Sequence, residues 1–336
     1  MKAIAPGKLI LSGEHAVVYG CPALAMAIDR HAQAVVTAGG TGADDVSFDL
    51  PDVASNESFT VRALRDFKVR VQRNYQEFAE GRMGLREILR KPADLFQYAF
   101  ITVLDGLHLQ VTDGIRVRMH STIPIGCGLG SSAASILSVL RAVGHYFRVE
   151  FRPDWYYRYS LETERLQHGY ASGVDSFISL HGGCAVFRQG EARKIPLPRL
   201  RLLLVDTGQP ASTTGECVAE VRRAHGGSGI WCEFERVTLA LEAALCRNDD
   251  EAFRDGIREN HRLLCRIGVV PAKVQAFIAD VEASGGAAKI CGAGAVRGDA
   301  GGAVLVHMQG PVQDLCSRHG YTPLTFRGEP LGVRIV

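Results

Sequence analysis

The stretch Pro124-Ile125-Gly126-Cys127-Gly128-Leu129-Gly130-Ser131-Ser132-Ala133-Ala134 stands between two different hydrophobic periods. Before it, Ile115, Val117 and Met119 alternate with Arg116, Arg118 and His120, the period-two pattern of a strand with one buried face. Behind it, Ala133, Ile136, Leu137, Leu140, Val143 and Phe147 recur at helical spacing, which predicts an amphipathic helix opened by Ser131-Ser132 at its capping positions. A strand, a glycine loop and a helix start suit a phosphate. Glycines let backbone N–H groups turn toward one point, and the helix N-terminus adds partial positive charge. The loop is no Walker A, having no Gly-Lys-Ser/Thr, and no dinucleotide fingerprint, because Ser131 stands where the third glycine belongs. A hydroxyl at the helix start can also reach a magnesium ion on those phosphates. The plainer alternative is that the two serines only cap the helix.

Three further segments carry chemistry. At the N-terminal end, Ala5-Pro6-Gly7-Lys8-Leu9-Ile10-Leu11-Ser12-Gly13-Glu14-His15 sets Lys8, Glu14 and His15 beside an apolar strand. A lysine close to a carboxylate keeps it ionised and offsets charge developing on a transferred phosphate; the alternative is a surface cation at a strand edge. Glu164 and Asp175 bracket a helix end at Gly169 and can converge on one site, one binding metal and the other addressing a substrate hydroxyl. Alternatively Glu164 pairs with Arg165 or His168, and Asp175 caps the next helix; His168, one turn on, is expected to hold Glu164 in place. The second glycine loop, Lys289-Ile290-Cys291-Gly292-Ala293-Gly294 onward to Gly302, closes over a substrate or merely connects strands.

The rest of the chain bounds these readings. Its 336 residues, 46% hydrophobic and 22% charged, form a folded core, and the length suggests two lobes with a cleft. Lys+Arg 38 against Asp+Glu 36 leaves a net charge of +2, which argues against nucleic-acid or membrane partners, so an anionic ligand must be held locally. With no bilayer-spanning apolar run and no signal peptide, a cytoplasmic protein is expected. The nine cysteines include no CxxC pair and read as reduced, mostly buried thiols. Leu202–Val205 and Ala303–Val306 read as buried strands, and Val274 to Val281 as a helix stopped by Gly285-Gly286. The polar stretch Gly39 to Ser58 reads as a surface loop without function, and the basic run Arg82 to Lys91 as a solvated helix face. A boundary near residue 198 divides residues 1–198 from 199–336.

Taken in order, the motifs at 5–20, 124–134, 164–175 and 289–294 resemble the superfamily of galactokinase, homoserine kinase, mevalonate kinase and phosphomevalonate kinase, over most of the chain. Gly13-Glu14-His15-Ala16-Val17-Val18-Tyr19-Gly20 is most similar to the mevalonate kinase branch, as are the segments from Glu164 to Asp175 and from Asn260 to Leu264. The resemblance implies an α/β, two-lobed small-molecule kinase fold. Its ribosomal-protein-S5-like N-terminal lobe binds ATP, its C-terminal lobe is ferredoxin-like, and the active site lies between them.

It further implies ATP and mevalonate as substrates, Mg2+ as cofactor, and Asp175 and Lys8 as catalytic residues. Gly126, Gly128, Leu129, Gly130, Ser131 and Ser132 would surround the ATP phosphates, and Ser132 and Glu164 would ligate the metal. Glu14, His15, Thr214 and Ala293 would line the acceptor pocket, and a homodimer is compatible with the family. Two departures stand out: Ala295-Val296-Arg297-Gly298-Asp299-Ala300 interrupts the family's glycine run, read here as an exposed turn, and Ala171 replaces a common proline. The alternatives are another alcohol kinase of the superfamily, or a non-catalytic sensor of ATP or metabolite.

Overall fold

In the computed structural model, which describes residues 1–39 and 42–336, two sheets share one chain. The first contains β1 (Lys2–Ser12), β2 (Ala23–Ala38), β3 (Asp45–Leu50), β4 (Ser55–Thr60), β5 (Ile115–Ser121), β6 (Cys184–Arg188) and β7 (Glu191–Ile195). The second contains β8 (Leu202–Asp206), β9 (Ala287–Ile290), β10 (Ala303–His307) and β11 (Thr322–Leu324), and a last strand, β12 (Arg334–Ile335), returns to pair with β1. The first sheet runs β12-β1-β2-β5-β3-β4, with β6 and β7 continuing from β2; only β3 and β5 pair in parallel. The second runs β11-β8-β10-β9, all antiparallel. Numbered within its own lobe that order is 4-1-3-2, and with helices after its first and third strands it is the ferredoxin-like arrangement.

The helices are α1 (Val61–Ala79), α2 (Asp94–Gly106), α3 (Ser131–Tyr146), α4 (Pro153–His168), α5 (Val174–His181), α6 (Thr214–His225), α7 (Ile230–Arg247), α8 (Asp250–Arg266), α9 (Ala272–Ala283) and α10 (Gln313–His319). Helices α3 and α5 pack on β1 and β2, while α8 and α9 cover β9. Helix α3 is buried along nearly its whole length because α2 and α4 cover the side turned away from the sheet. Its small residues, Ala133, Ala134 and Ala142 among them, permit that close approach. Among the described residues no helix is long and apolar enough to cross a membrane.

Two expectations need correction. Gly40 and Thr41 lie outside the described residues and Gly42 to Asp44 form an exposed turn, but residues 45–58 are no surface loop. They fold as the β3–β4 hairpin, with a short 3-10 turn at Pro51–Val53. Val46, Phe48 and Leu50 alternate inward and are fully buried, a strand period masked by the Asp and Ser between them. The run Arg82 to Lys91 is not a helix face either. It is an irregular connection between α1 and α2 with one 3-10 turn at Leu85–Glu87, because Gly84 and Pro92 bound it.

Candidate active site

A cleft of about 670 Å3 opens between the two sheets. Its floor is built where the two glycine loops meet. Gly128 has φ +77°, and a Cβ there would overlap the Cys291 carbonyl oxygen, so the loops touch backbone to backbone only because neither carries a side chain at the contact. The contact is tied by the Ala303 amide, which donates to the Cys127 carbonyl at 3.1 Å.

Helix α3 begins without a side-chain cap. Gly130 occupies the cap position with φ +71°, and Ser131 and Ser132 lie inside the first turn. The capping role expected of the serines is therefore not the one they play. The first turn presents unpaired N–H groups together with the Ser131 and Ser132 hydroxyls at the cleft, the arrangement an anion needs. Leu129 points its side chain into the core and offers only backbone: its carbonyl accepts from the Lys8 amide at 2.9 Å.

Strand β1 delivers Lys8 to the same place. Its ammonium donates to the Gly128 carbonyl at 2.9 Å and pairs with Asp175 Oδ1 at 3.2 Å. The lysine side chain is 3% exposed and the aspartate 29%, so the cation is walled in while the carboxylate keeps an open side. Asp175 sits in the first turn of α5, behind Gly173 at φ +89°, and does not cap that helix.

Glu164, in the last turn of α4, is buried. Ser132 Oγ donates to its Oε1 at 3.3 Å and Ser176 Oγ to its Oε2 at 2.7 Å, and Ser176 is itself hydrogen-bonded to Ser160 at 2.7 Å. Burial, then the neighbouring charge of Asp175, pushes the Glu164 carboxyl up to about 7, against the pull of Ser176, Lys8 and Ser132. His168 does not hold Glu164 as expected; its Nε2 lies 3.4 Å from Ser132 Oγ, and burial lowers its basicity.

Glu14, His15, Thr214 and Ala293 complete the lining, so each residue named above as catalytic, phosphate-binding, metal-binding or acceptor-lining borders this one cleft, Leu129 through its backbone; Arg297 and Asn260 to Leu264 do not line it. Thr213 caps α6, with Glu216 closing a capping box, which leaves Thr214 as the first helical residue. Other lining residues were placed elsewhere by the sequence reading: Asp52 and Val53 in a surface loop without function, and Arg86, Arg90 and Lys91 in a solvated helix face, whereas they line the cleft. Lys289, wholly buried against Glu14, was quoted within a motif but given no role. A lysine inside the apolar strand Ala287-Ala288-Lys289-Ile290 was the available signal.

Residues 94–183 match the GHMP kinases N-terminal domain. The mevalonate kinase of Thermococcus sibiricus is 31% identical, over 87% of this chain and 86% of its own length. The chain belongs to the mevalonate kinase family. The mevalonate kinase of Pyrococcus abyssi is 28% identical over 99% of this chain and 97% of its own. The crystal structure of the Methanococcus jannaschii mevalonate kinase superposes with a TM-score of 0.79 at 24% identity, covering 98% of both chains. Membership in this family makes the chain an ATP-dependent kinase, with the loop at Gly126–Gly130 in the matched segment.

Proposed function

We propose that the chain transfers the γ-phosphoryl group of ATP to the 5-hydroxyl of mevalonate, giving 5-phosphomevalonate and ADP. The observation that carries the assignment of roles is the Lys8–Asp175 pair, open to the cleft on the carboxylate side only. The substrate hydroxyl donates to Asp175, its oxygen forms the new bond to phosphorus, and the bond to the β-phosphate oxygen breaks with its electron pair leaving on ADP. Asp175 orients the hydroxyl and receives its proton. Lys8, fixed by the Gly128 carbonyl, stabilises negative charge at the transferring group. Backbone amides of Gly126 to Ser132 hold the phosphates, so positioning and electrostatics do most of the work.

Ser132 and Glu164 fit a magnesium ion, offering hard oxygen donors side by side. Among the described residues no group of three or more His, Cys, Asp or Glu side chains makes an all-protein cage, which suits an ion that takes its other ligands from phosphates and water. When bound, the ion neutralises charge on the phosphate oxygens. Residues 1–198 and 199–336 serve as the two lobes, the second lending β12 to the first. The nine free cysteines suit a reducing cytoplasm.

The test is ATP turnover by the purified protein with Mg2+, comparing mevalonate with phosphomevalonate, homoserine and galactose. Mevalonate is expected to be the preferred acceptor, with Asp175→Asn lowering kcat by roughly 10²–10⁴-fold. Preference for another alcohol overturns the substrate, and full activity of Asp175→Asn overturns the role of Asp175.

A further inference from the structure

The two oxygens of Glu164 are held unequally. Ser176 Oγ lies 2.7 Å from Oε2, a strong bond between a hydroxyl and a carboxylate. Ser132 Oγ lies 3.3 Å from Oε1, close to the limit of such a bond, and also stands 3.4 Å from His168 Nε2. The two sides differ in access as well. Ser132 lines the cleft together with Glu164, whereas Ser176 and Ser160 are wholly buried and stand outside its lining.

Helix spacing explains how the buried pair meets the carboxylate. Ser160 and Glu164 are one turn apart on α4 and so share a face, and Ser176, in the first turn of α5, sits between them at 2.7 Å from each. Protons fix the direction of this chain. An ionised carboxylate only accepts, so the Ser176 hydroxyl spends its one proton on Oε2, and the bond to Ser160 then has Ser160 as its donor. Ser160 therefore sets the rotation of the Ser176 hydroxyl, and Ser176 sets Oε2.

We propose that Ser176, oriented by Ser160, is the positioning residue that turns Oε2 of Glu164 inward and leaves Oε1 as the oxygen offered to the metal ion. The proposal rests on the reading of Ser132 and Glu164 as ligands of magnesium. That ion demands nearly ideal octahedral placement of its oxygens, so a carboxylate free to rotate about its last bond has to be ordered by the ion itself. With one oxygen anchored from behind, the Glu164 carboxylate is ordered beforehand. The same bond crosses from α4 to α5, the helix that carries Asp175, and so ties the two carboxylates of the site to one frame.

The experiment measures the dissociation constant of ATP by calorimetry, with Mg2+ and with EDTA, in the absence of mevalonate so that nothing turns over. The ratio of the two constants is the gain that the ion contributes. In Ser176→Ala this gain is expected to fall about tenfold, the effect of losing a group that orients a metal ligand, while metal-free ATP binding stays within about twofold. Ser160→Ala is expected to lose about threefold, one hydrogen bond's net worth. The double variant should lose no more than Ser176→Ala, because Ser160 acts only through its neighbour. General damage to the site weakens ATP binding under both conditions and leaves the ratio unmoved.

Glu164→Gln separates this proposal from the reading beneath it. If Mg2+ fails to tighten ATP binding in the parent, or tightens it equally in Glu164→Gln, the metal assignment fails and the proposal falls with it. If Glu164→Gln loses the gain and Ser176→Ala keeps it, the metal assignment stands and the positioning role of Ser176 is overturned. Additive losses in the double variant remove Ser160 from the proposal. Should Ser176→Ala not fold, Ser176→Cys offers a weaker donor at nearly the same volume, and a full gain in that variant overturns the role as well.

Discussion

The Lys8–Asp175 pair lines this cleft, the Lys289–Glu14 pair reaches it only through Glu14, and the two differ in exposure. Lys8 and Asp175 leave the carboxylate 29% exposed, whereas Lys289 and Glu14 are 0% and 1% exposed. In the first pair the carboxylate keeps one side open to the cleft. In the second the buried ammonium is held by Glu14 and the Ile10 carbonyl, and burial pushes the Glu14 carboxyl up against the pull of Lys289. Openness to the cleft separates the pair proposed to act on the substrate from a pair enclosed by its own contacts.

The sharpest way to break this contrast is to neutralise each pair and measure both activity and stability. Asp175→Asn is expected to lower kcat by up to about 10⁴-fold. Its urea unfolding midpoint should barely move, since a partly solvated pair contributes little to stability. Lys289→Met should do the reverse in kind, costing about 3–5 kcal/mol in urea unfolding because it strands a buried carboxylate. The double variant Glu14→Leu/Lys289→Met should regain most of that stability while leaving activity on mevalonate low. If Lys289→Met unfolds at the same urea concentration as the parent, the buried pair is not structural.

A smaller effect comes from protons. Burial holds both His15 and His261 down to about 4, with Arg262 and then Lys289 adding to the effect on His261. Their ordinary value is 6.5, so between pH 6.5 and 4 the unfolded chain binds more protons than the folded one. This contribution to stability is complete above pH 6.5 and is lost as pH falls toward 4. Glu164, pushed up to about 7, works in the opposite sense across part of this window, so the check is a comparison: the slope of urea midpoint against pH between 6.5 and 4 should be smaller in His261→Asn than in the parent. An unchanged slope would show that His261 is protonated in the folded protein.

What the sequence made legible follows the same division. Lys8 and Asp175 were each noticed because they stand in short local patterns at a strand and a helix end, where a charge next to apolar residues needs a reason, but that the two meet came only from the resemblance to a known family. The strand, loop and helix around Gly126 were readable from period alone. The Glu14–Lys289 pair was not, since 275 positions separate the partners and no local pattern records which strand lies beneath which. The capping position given to Ser131-Ser132 was wrong because a serine at a helix start usually caps it, and only the positive φ of Gly130 shows that the cap position is already taken. The β3–β4 hairpin was lost among Asp and Ser residues that composition assigns to loops, although Val46, Phe48 and Leu50 carry its period.

The third member of the series is exposed, and it should matter least. Glu216, 33% exposed, pairs with Arg86 from the first lobe at 2.8 Å and with Arg297 from the charged insertion at 3.3 Å. Both guanidiniums are well over half exposed, so water screens each bond and long side-chain entropy offsets it. Arg297→Ala is expected to shift stability by less than about 1 kcal/mol and kcat/KM by less than about twofold, with any difference vanishing at 0.5 M salt. A tenfold loss of activity that persisted in salt would mean that Arg297 reaches the bound substrate or ATP. The insertion would then be part of the site, and solvent exposure would no longer separate the pairs that act from the pairs that do not.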